Sequence, residues 1–209
     1  MGYGLYIEED NGSPSWSLQF KDLMQQIETG VRQPDGRDCV FLWLYATDGR
    51  PYAKYLEAPK PDLVVPMVFA QLRWDGMFGT VGGKVDPGES LLEALARETR
   101  EEIAYDIPAD AQLAPLSTFE RNGWHIHAYR LRLPFEQLRE VRNRAHLAEH
   151  ADTECAGYNL VHAVDYRPDA ANPRGIRAFL QNQFLASAKP ELELLLEHIS
   201  AEMTQESAT

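Results

Sequence analysis

The chain has 209 residues and a formal net charge of −12, from 32 acidic against 20 basic side chains. That length suits one well-cored domain, and that charge repels extended duplex nucleic acid rather than displacing its counterions. With 44% hydrophobic, 25% charged and 10% aromatic residues, the composition is that of a soluble globular protein, and no apolar run is long enough to cross a membrane as a helix.

The N-terminus, MGYGLYIEEDNGSPSW, has no basic segment ahead of an apolar one, so no secretory or transit signal is expected and the chain is read as intracellular, in nucleus or cytoplasm. From Trp16 to Thr29, apolar residues at Leu18, Phe20, Leu23, Met24 and Ile27, followed by Gly30, predict an amphipathic helix. CVFLWLYATDGRPYAKYL reads as two strands joined at Asp48-Gly49, and DLVVPMVFAQLRW as a further strand ending at Asp75-Gly76. Strands are expected near 113–120 and 124–133, and Pro134 opens a helix to about Ala148. CAGYNLVHAVDY is a last strand, followed by helical segments near 174–187 and 190–203. Cys39 and Cys155, far apart in apolar strand-like runs, are expected to be core thiols rather than a disulfide or metal ligands. The arginines at 130, 132, 139, 142 and 144 read as a solvated face. The chain divides as one domain, 1–209, with an N-terminal helical extension over 1–35, a core over 36–188, and a C-terminal helix and tail over 189–209.

Residues 82–105, GGKVDPGESLLEALARETREEIAY, carry the chemistry. Ser90 and Glu93 form a capping box that starts a helix beside the Pro87-Gly88 turn. Its periodicity predicts a buried stripe of Leu91, Leu92, Leu95, Ala96, Thr99 and Ile103. Glu98, Glu101 and Glu102, at i, i+3 and i+4, converge on the remaining face, and such hard oxygen donors suit Mg²⁺ or Mn²⁺. Arg97 can reach back to Glu89 and lock the loop onto the helix. Gly82 and Gly83 let backbone approach without side chains in the way. The plainer alternative is a surface helix laced by Glu93, Arg97 and Glu101 at i, i+4 spacing.

Gly83, Glu89, Arg97, Glu98, Glu101 and Glu102 together fit G-x5-E-x7-R-E-U-x-E-E-x-G-U, with U a bulky apolar residue, and the stretch therefore resembles the signature of the Nudix hydrolases. Thr99 and Tyr105 replace bulky aliphatics and Ala104 replaces a glycine. A left-handed Ala costs roughly 1 kcal/mol, so the helix is expected to run slightly past it. Gln71-Leu72-Arg73-Trp74-Asp75-Gly76, Glu154-Cys155-Ala156-Gly157 and Gly175 to Phe184 resemble the nuclear snoRNA-decapping, inosine diphosphatase branch of that family.

The resemblance implies an α/β/α sandwich with a mixed sheet, trimmed by N- and C-terminal helices. It implies a homodimeric, Mg²⁺- or Mn²⁺-dependent hydrolase of nucleoside diphosphates, deaminated purines above all, or of the 5′ caps of RNA. Glu98, Glu101, Glu102 and Glu154 would hold metal together with Gly83, with Glu101, Glu102 and Glu154 as the catalytic carboxylates. Gly82, Glu89 and Arg97 would support them, and Arg73 would reach the substrate. Phe41 stands where the branch has a base-contacting histidine, and Glu191 where it has a base-reading glutamine. An aromatic ring at 41 can stack on a purine without donating a hydrogen bond. The alternatives are an ADP-ribose-type hydrolase and a Nudix-fold module that only binds RNA or nucleotides, although the latter would be expected to have lost acids that are all present here.

Overall fold

The computed structural model describes residues 24–32, 37–50, 64–165 and 174–206. Its centre is β2, Arg37–Gly49, which is apolar on both sides: Val40, Leu42, Leu44 and Ala46 enter one core, and Trp43 and Tyr45 the other. This alternation is what a strand covered on both faces requires. On one side β2 pairs in parallel with β7, Trp124–Arg132, which pairs antiparallel with β6, Ala114–Arg121. On its other side two partners divide its length. Cys39–Leu42 face β5, Val81–Lys84, whereas Tyr45–Gly49 face β3, Val65–Arg73. Beyond that fork β3 pairs with β8, Cys155–His162, and its end pairs with β4, Phe78–Gly79. The sheet is therefore mixed, as expected.

Helices cover both faces, giving the α/β/α sandwich. One layer is α1, Leu91–Ile103, with α2, Phe135–Arg144, and a 3₁₀ turn, Ala145–Leu147. Leu91, Ala94, Leu95, Ile103, Leu138 and Val141 pack there against Leu42, Leu44 and Phe69. After a short α3, Ala151–Glu154, and a short α4, Ile176–Phe179, the opposite layer is α5, Ala188–Glu206. Leu192, Leu195 and Ile199 seal it onto Trp43, Tyr45 and Val68. This C-terminal helix is a full layer of the core rather than a trimming.

Four expectations are corrected. The N-terminal helix falls on residues 16–23, outside the described residues, and on 24–29, where Gln25–Gln26 instead form β1, paired with Glu120 and Phe119 at the edge of β6. The open edge of β6 outweighs a modest helical periodicity. The helix expected over 174–187 is only α4, because Phe78 N–H donates to Gln183 O and Leu185 N–H donates to Phe78 O, drawing that backbone onto β4. Phe78, Phe179 and Phe184 cluster there edge to face, with Phe78 and Phe179 centroids 4.8 Å apart. Leu92 is 53% exposed, and Ala94 is buried in the stripe in its stead. Lastly, α1 does not run on: Ala104 is left-handed (φ 51°, ψ 39°). Its N–H donates to Arg100 O, and Tyr105 N–H reaches Thr99 O, so the capping bonds that usually recruit glycine hold an alanine here.

Both cysteines are free thiols. Cys155 is buried under Leu72 and Gly157, whereas Cys39 is only half-buried and its thiol is pushed up to about 11, chiefly by burial. Of the five arginines, Arg132, Arg139 and Arg144 are exposed, as a solvated face requires, and two pair locally, Arg132 with Glu202 and Glu206, and Arg139 with Glu136. No helix among the described residues is long and apolar enough to cross a membrane.

Candidate active site

The fork between β5 and the end of β3 opens into a cavity of about 250 Å³. β2 supplies Cys39 and Phe41, β3 supplies Gln71 and Arg73, and the strand turning into β5 supplies Thr80, Gly82 and Gly83. Glu102 comes from α1, Glu154 from the end of α3, and Glu191 from the first turn of α5. A larger, shallower concavity of about 680 Å³ lies further along α5 between Tyr45, Arg132 and Glu202, and it contains none of these residues.

The glutamates do not lie on a solvent face opposite the apolar stripe. Glu102 belongs to the stripe itself, with Leu95, Thr99 and Ile103, and is 7% exposed. The Glu98 side chain is 12% exposed, while that of Glu101, at the margin, is 28% exposed. The two glycines make this packing possible. A Cβ on Gly83 would stand 2.5 Å from Glu98 Oε1, and one on Gly82 (φ +144°) would stand 2.0 Å from Val40 O and 2.7 Å from Phe41 Cα. Any side chain at either position would push the helix acids, or the strand carrying Phe41, out of place.

Hydrogen bonds fix the carboxylates. Gln71 Nε2 and Gly82 N–H both donate to Glu102 Oε2 at 3.2 Å, and Tyr158 O–H donates to the Glu102 carbonyl at 3.0 Å. Arg97 grips Glu89 through Nε and Nη2 at 2.9 and 3.0 Å. The same guanidinium donates to Lys84 O at 2.9 Å, to Glu98 at 2.8 Å and to Glu101 at 3.2 Å, binding the loop to the helix. His150 N–H caps the Glu101 carbonyl at 2.8 Å, with its ring 4.0 Å from the Glu101 carboxylate.

Burial pushes the Glu102 carboxyl up to about 8 against the bonds from Gln71 and Gly82, and the charges of Glu98 and Glu154 act in the same direction. Burial likewise raises Glu98; Arg97 opposes this, while Glu101 and Glu154 reinforce it. Glu89 is held below the usual carboxylate range, first by its bonds from Arg97. The opposite wall differs. Glu191 is 1% exposed and accepts from Trp43 Nε1 at 2.9 Å and from Ser187 O–H at 2.5 Å.

As placed, no three acidic, histidine or cysteine side chains among the described residues form an ion cage, and Glu98 and Glu101 instead share Arg97. The donor set nevertheless fits a hard divalent cation. Glu102 and Glu154 line the cavity, Glu98 and Glu102 are raised first by burial and further by the charges of acidic neighbours, and Glu98 packs against Gly83.

Sequence reasoning missed Gln71, Tyr158 and His150. A signal existed only for Gln71, a polar residue inside the apolar run VVPMVFAQL.

A sandwich in which a capped helix buries glutamates against a di-glycine strand is the architecture of the Nudix hydrolases, and this chain is one of them. It belongs to the Nudt16-like family, described as U8 snoRNA-decapping enzyme-like, whose model matches residues 39–201. It is 34% identical to the U8 snoRNA-decapping enzyme of Mus musculus over 169 residues, covering 76% of this chain and 80% of that protein. With the Bos taurus enzyme of the same name it shares 32% identity, covering 66% and 74%. Among solved structures, a mutT/nudix family protein from Listeria innocua matches with a TM-score of 0.54 at 17% identity, over 83% of this chain and 99% of that one, which is a likeness of fold.

Proposed function

We propose that the chain hydrolyses a phosphoric anhydride bond in a purine nucleoside diphosphate or at the 5′ cap of an RNA. The reading is carried by one observation: Glu102 and Glu154 open into the same cavity as Arg73 and Phe41, so carboxylates, a phosphate-binding cation and an aromatic ring line one space. Glu98, Glu101, Glu102 and Glu154, with Gly83, would hold Mg²⁺ or Mn²⁺, which when bound supplies neutralisation of phosphate charge and acidification of water. Arg73 orients the phosphate chain. Water attacks phosphorus, the bridging P–O bond breaks, and one of Glu101, Glu102 and Glu154 takes the proton. Nucleoside monophosphate or 5′-monophosphate RNA is released.

Phe41 stacks on the base, and Glu191 closes the far wall. The names of the relatives favour a capped RNA end as substrate, and the family resemblance implies a homodimer. Incubating the chain with inosine, xanthosine and guanosine diphosphates, capped RNA and ADP-ribose, each with Mg²⁺ or Mn²⁺, tests the reading. The expected product is the monophosphate, and absence of turnover on every member of the panel would overturn it.

A further inference from the structure

The loop that carries Glu89 is held from a second side, by residues outside the family signature. Asp38, at the start of β2, has a side chain with no exposed surface. Its carbonyl accepts from Val85 N–H at 2.9 Å, where the loop begins. Its carboxylate accepts from Arg32 Nε at 3.0 Å, and Arg32 Nη1 in turn donates to the Glu89 carbonyl, where the loop ends and α1 starts. Beneath it lies His127 on β7, also fully buried, with Nε2 3.0 Å from the other Asp38 oxygen and Nδ1 3.0 Å from Thr118 Oγ1. A carboxylate can only accept, so Nε2 carries the proton, Nδ1 accepts from the Thr118 hydroxyl, and Thr118 Oγ1 accepts from Gly30 N–H.

We propose that Asp38, Arg32 and His127 are positioning residues that clamp both ends of the Val85–Glu89 loop and so hold Glu89 and Arg97 in place beneath the glutamates. One link joins the two systems: Glu89 gives its carbonyl to Arg32 and its carboxylate to Arg97, which grips Glu98 and Glu101. A buried carboxylate and histidine cost desolvation that an apolar pair of the same size would avoid, and fixing one geometry is the use that such networks serve best. Burial holds His127 below its usual pKa, consistent with a neutral ring that transmits orientation rather than charge.

The inference rests on the hydrolase reading for its effect on rate, but not for the clamp itself, so the test has two readouts. Arg32→Ala, Asp38→Asn and the double variant are compared with the parent chain by hydrogen exchange and by steady-state kinetics on the best substrate of the panel. Asp38→Asn keeps the carbonyl bond to Val85 and leaves one oxygen acceptor for the two donors, Arg32 and His127, that share the carboxylate. Faster exchange is expected at Val85, Glu89 and Ser90 with β7 unchanged. A fall in kcat of about tenfold is expected in each single variant, with KM within about twofold and the double no worse than about the larger single effect. Arg32→Lys, which offers a point charge in place of a fork, should restore little. Loop exchange at the parent rate, an unchanged kcat, or multiplying effects would each overturn the proposal. A parent chain that turns over nothing sinks the hydrolase reading, while exchange still decides the clamp. Should Asp38→Asn fail to fold, Arg32→Ala keeps the test, since the Arg32 side chain is 42% exposed.

Discussion

Two glutamates are buried in opposite walls of the same cavity, and their surroundings differ in sign. Glu102 accepts two hydrogen bonds but stands among Glu98 and Glu154, whose charges add to the effect of burial. Glu191 accepts two hydrogen bonds from the neutral Trp43 and Ser187, and no cation pairs with it among the described residues. Both lose hydration on burial. The difference teaches that burial of a carboxylate does not by itself assign a role. Like-charged neighbours leave a charge that a cation would balance, whereas neutral donors make a polar post in a wall.

The strongest way to break this comparison is to neutralise each residue in turn. Glu102→Gln keeps the shape, and its amide oxygen can still accept from Gln71 and Gly82, so the variant should melt at or above the parent temperature. Its turnover should fall at least about a hundredfold, because a negative oxygen donor is gone. A near-parental rate at saturating Mg²⁺ would remove Glu102 from the metal set. Phe41 lines the same cavity and stands opposite Gly82 across the β2–β5 pair. If it stacks on a base, Phe41→Ala should raise KM for purine nucleotides roughly tenfold, as about 1 to 3 kcal/mol per stack implies. A packing role would instead cost about 3 to 5 kcal/mol of stability with KM little changed, so melting and KM measured on one preparation separate the two.

Metal sharpens the contrast further. A divalent ion that binds only the folded chain stabilises it by mass action, by about 2.7 kcal/mol at a hundred times its Kd. Millimolar Mg²⁺ or Mn²⁺ should therefore raise the melting temperature of EDTA-treated protein by several degrees. The rise should shrink in Glu102→Gln and survive in Glu191→Gln. Identical melting of the parent with and without metal would count against the site.

Much of the helix side of this comparison was legible in the sequence, because Gly, Glu and Arg at fixed spacings within 24 residues determine one helix and the loop before it. The apolar runs also gave the described strands of a mixed sheet, while the strand expected over PYAKYL lies outside the described residues. What could not be read was set by topology. Asp38 and His127 are 89 residues apart and meet only because β2 and β7 run in parallel; Gln71 reaches Glu102 only where β3 splits from β2. The elements misread, Gln25–Gln26 and residues 180–187, lost local helical preference to the open edges of β6 and β4, which no window of a single segment contains. Ala104 is a third kind of miss. The hydrogen bonds of a helix end outweighed a backbone preference worth about 1 kcal/mol.

The smallest expected effect is at Glu191, and it has a sign that pH can read. Burial raises its folded-state pKa above the ordinary 4.5, so the folded chain holds this proton more tightly than the unfolded one. Its contribution to stability is therefore fully present below pH 4.5 and is lost as pH rises through the folded pKa. Glu191→Gln removes that loss. The amide oxygen can accept from Trp43 Nε1 while the amide nitrogen donates to Ser187 Oγ, whose hydroxyl rotates to accept, so no partner is left unpaired. At neutral pH the variant should melt a few degrees higher than the parent, at about 2 to 4 °C per kcal/mol for a chain of this size, and the difference should close near pH 4.5. Turnover should stay near the parental value, in contrast to Glu102→Gln. A gain in melting temperature independent of pH would mean that the carboxyl is not raised by its burial. A hundredfold loss of turnover would move Glu191 from the wall to the reacting groups, and the two buried glutamates would then be partners in one chemistry rather than opposites.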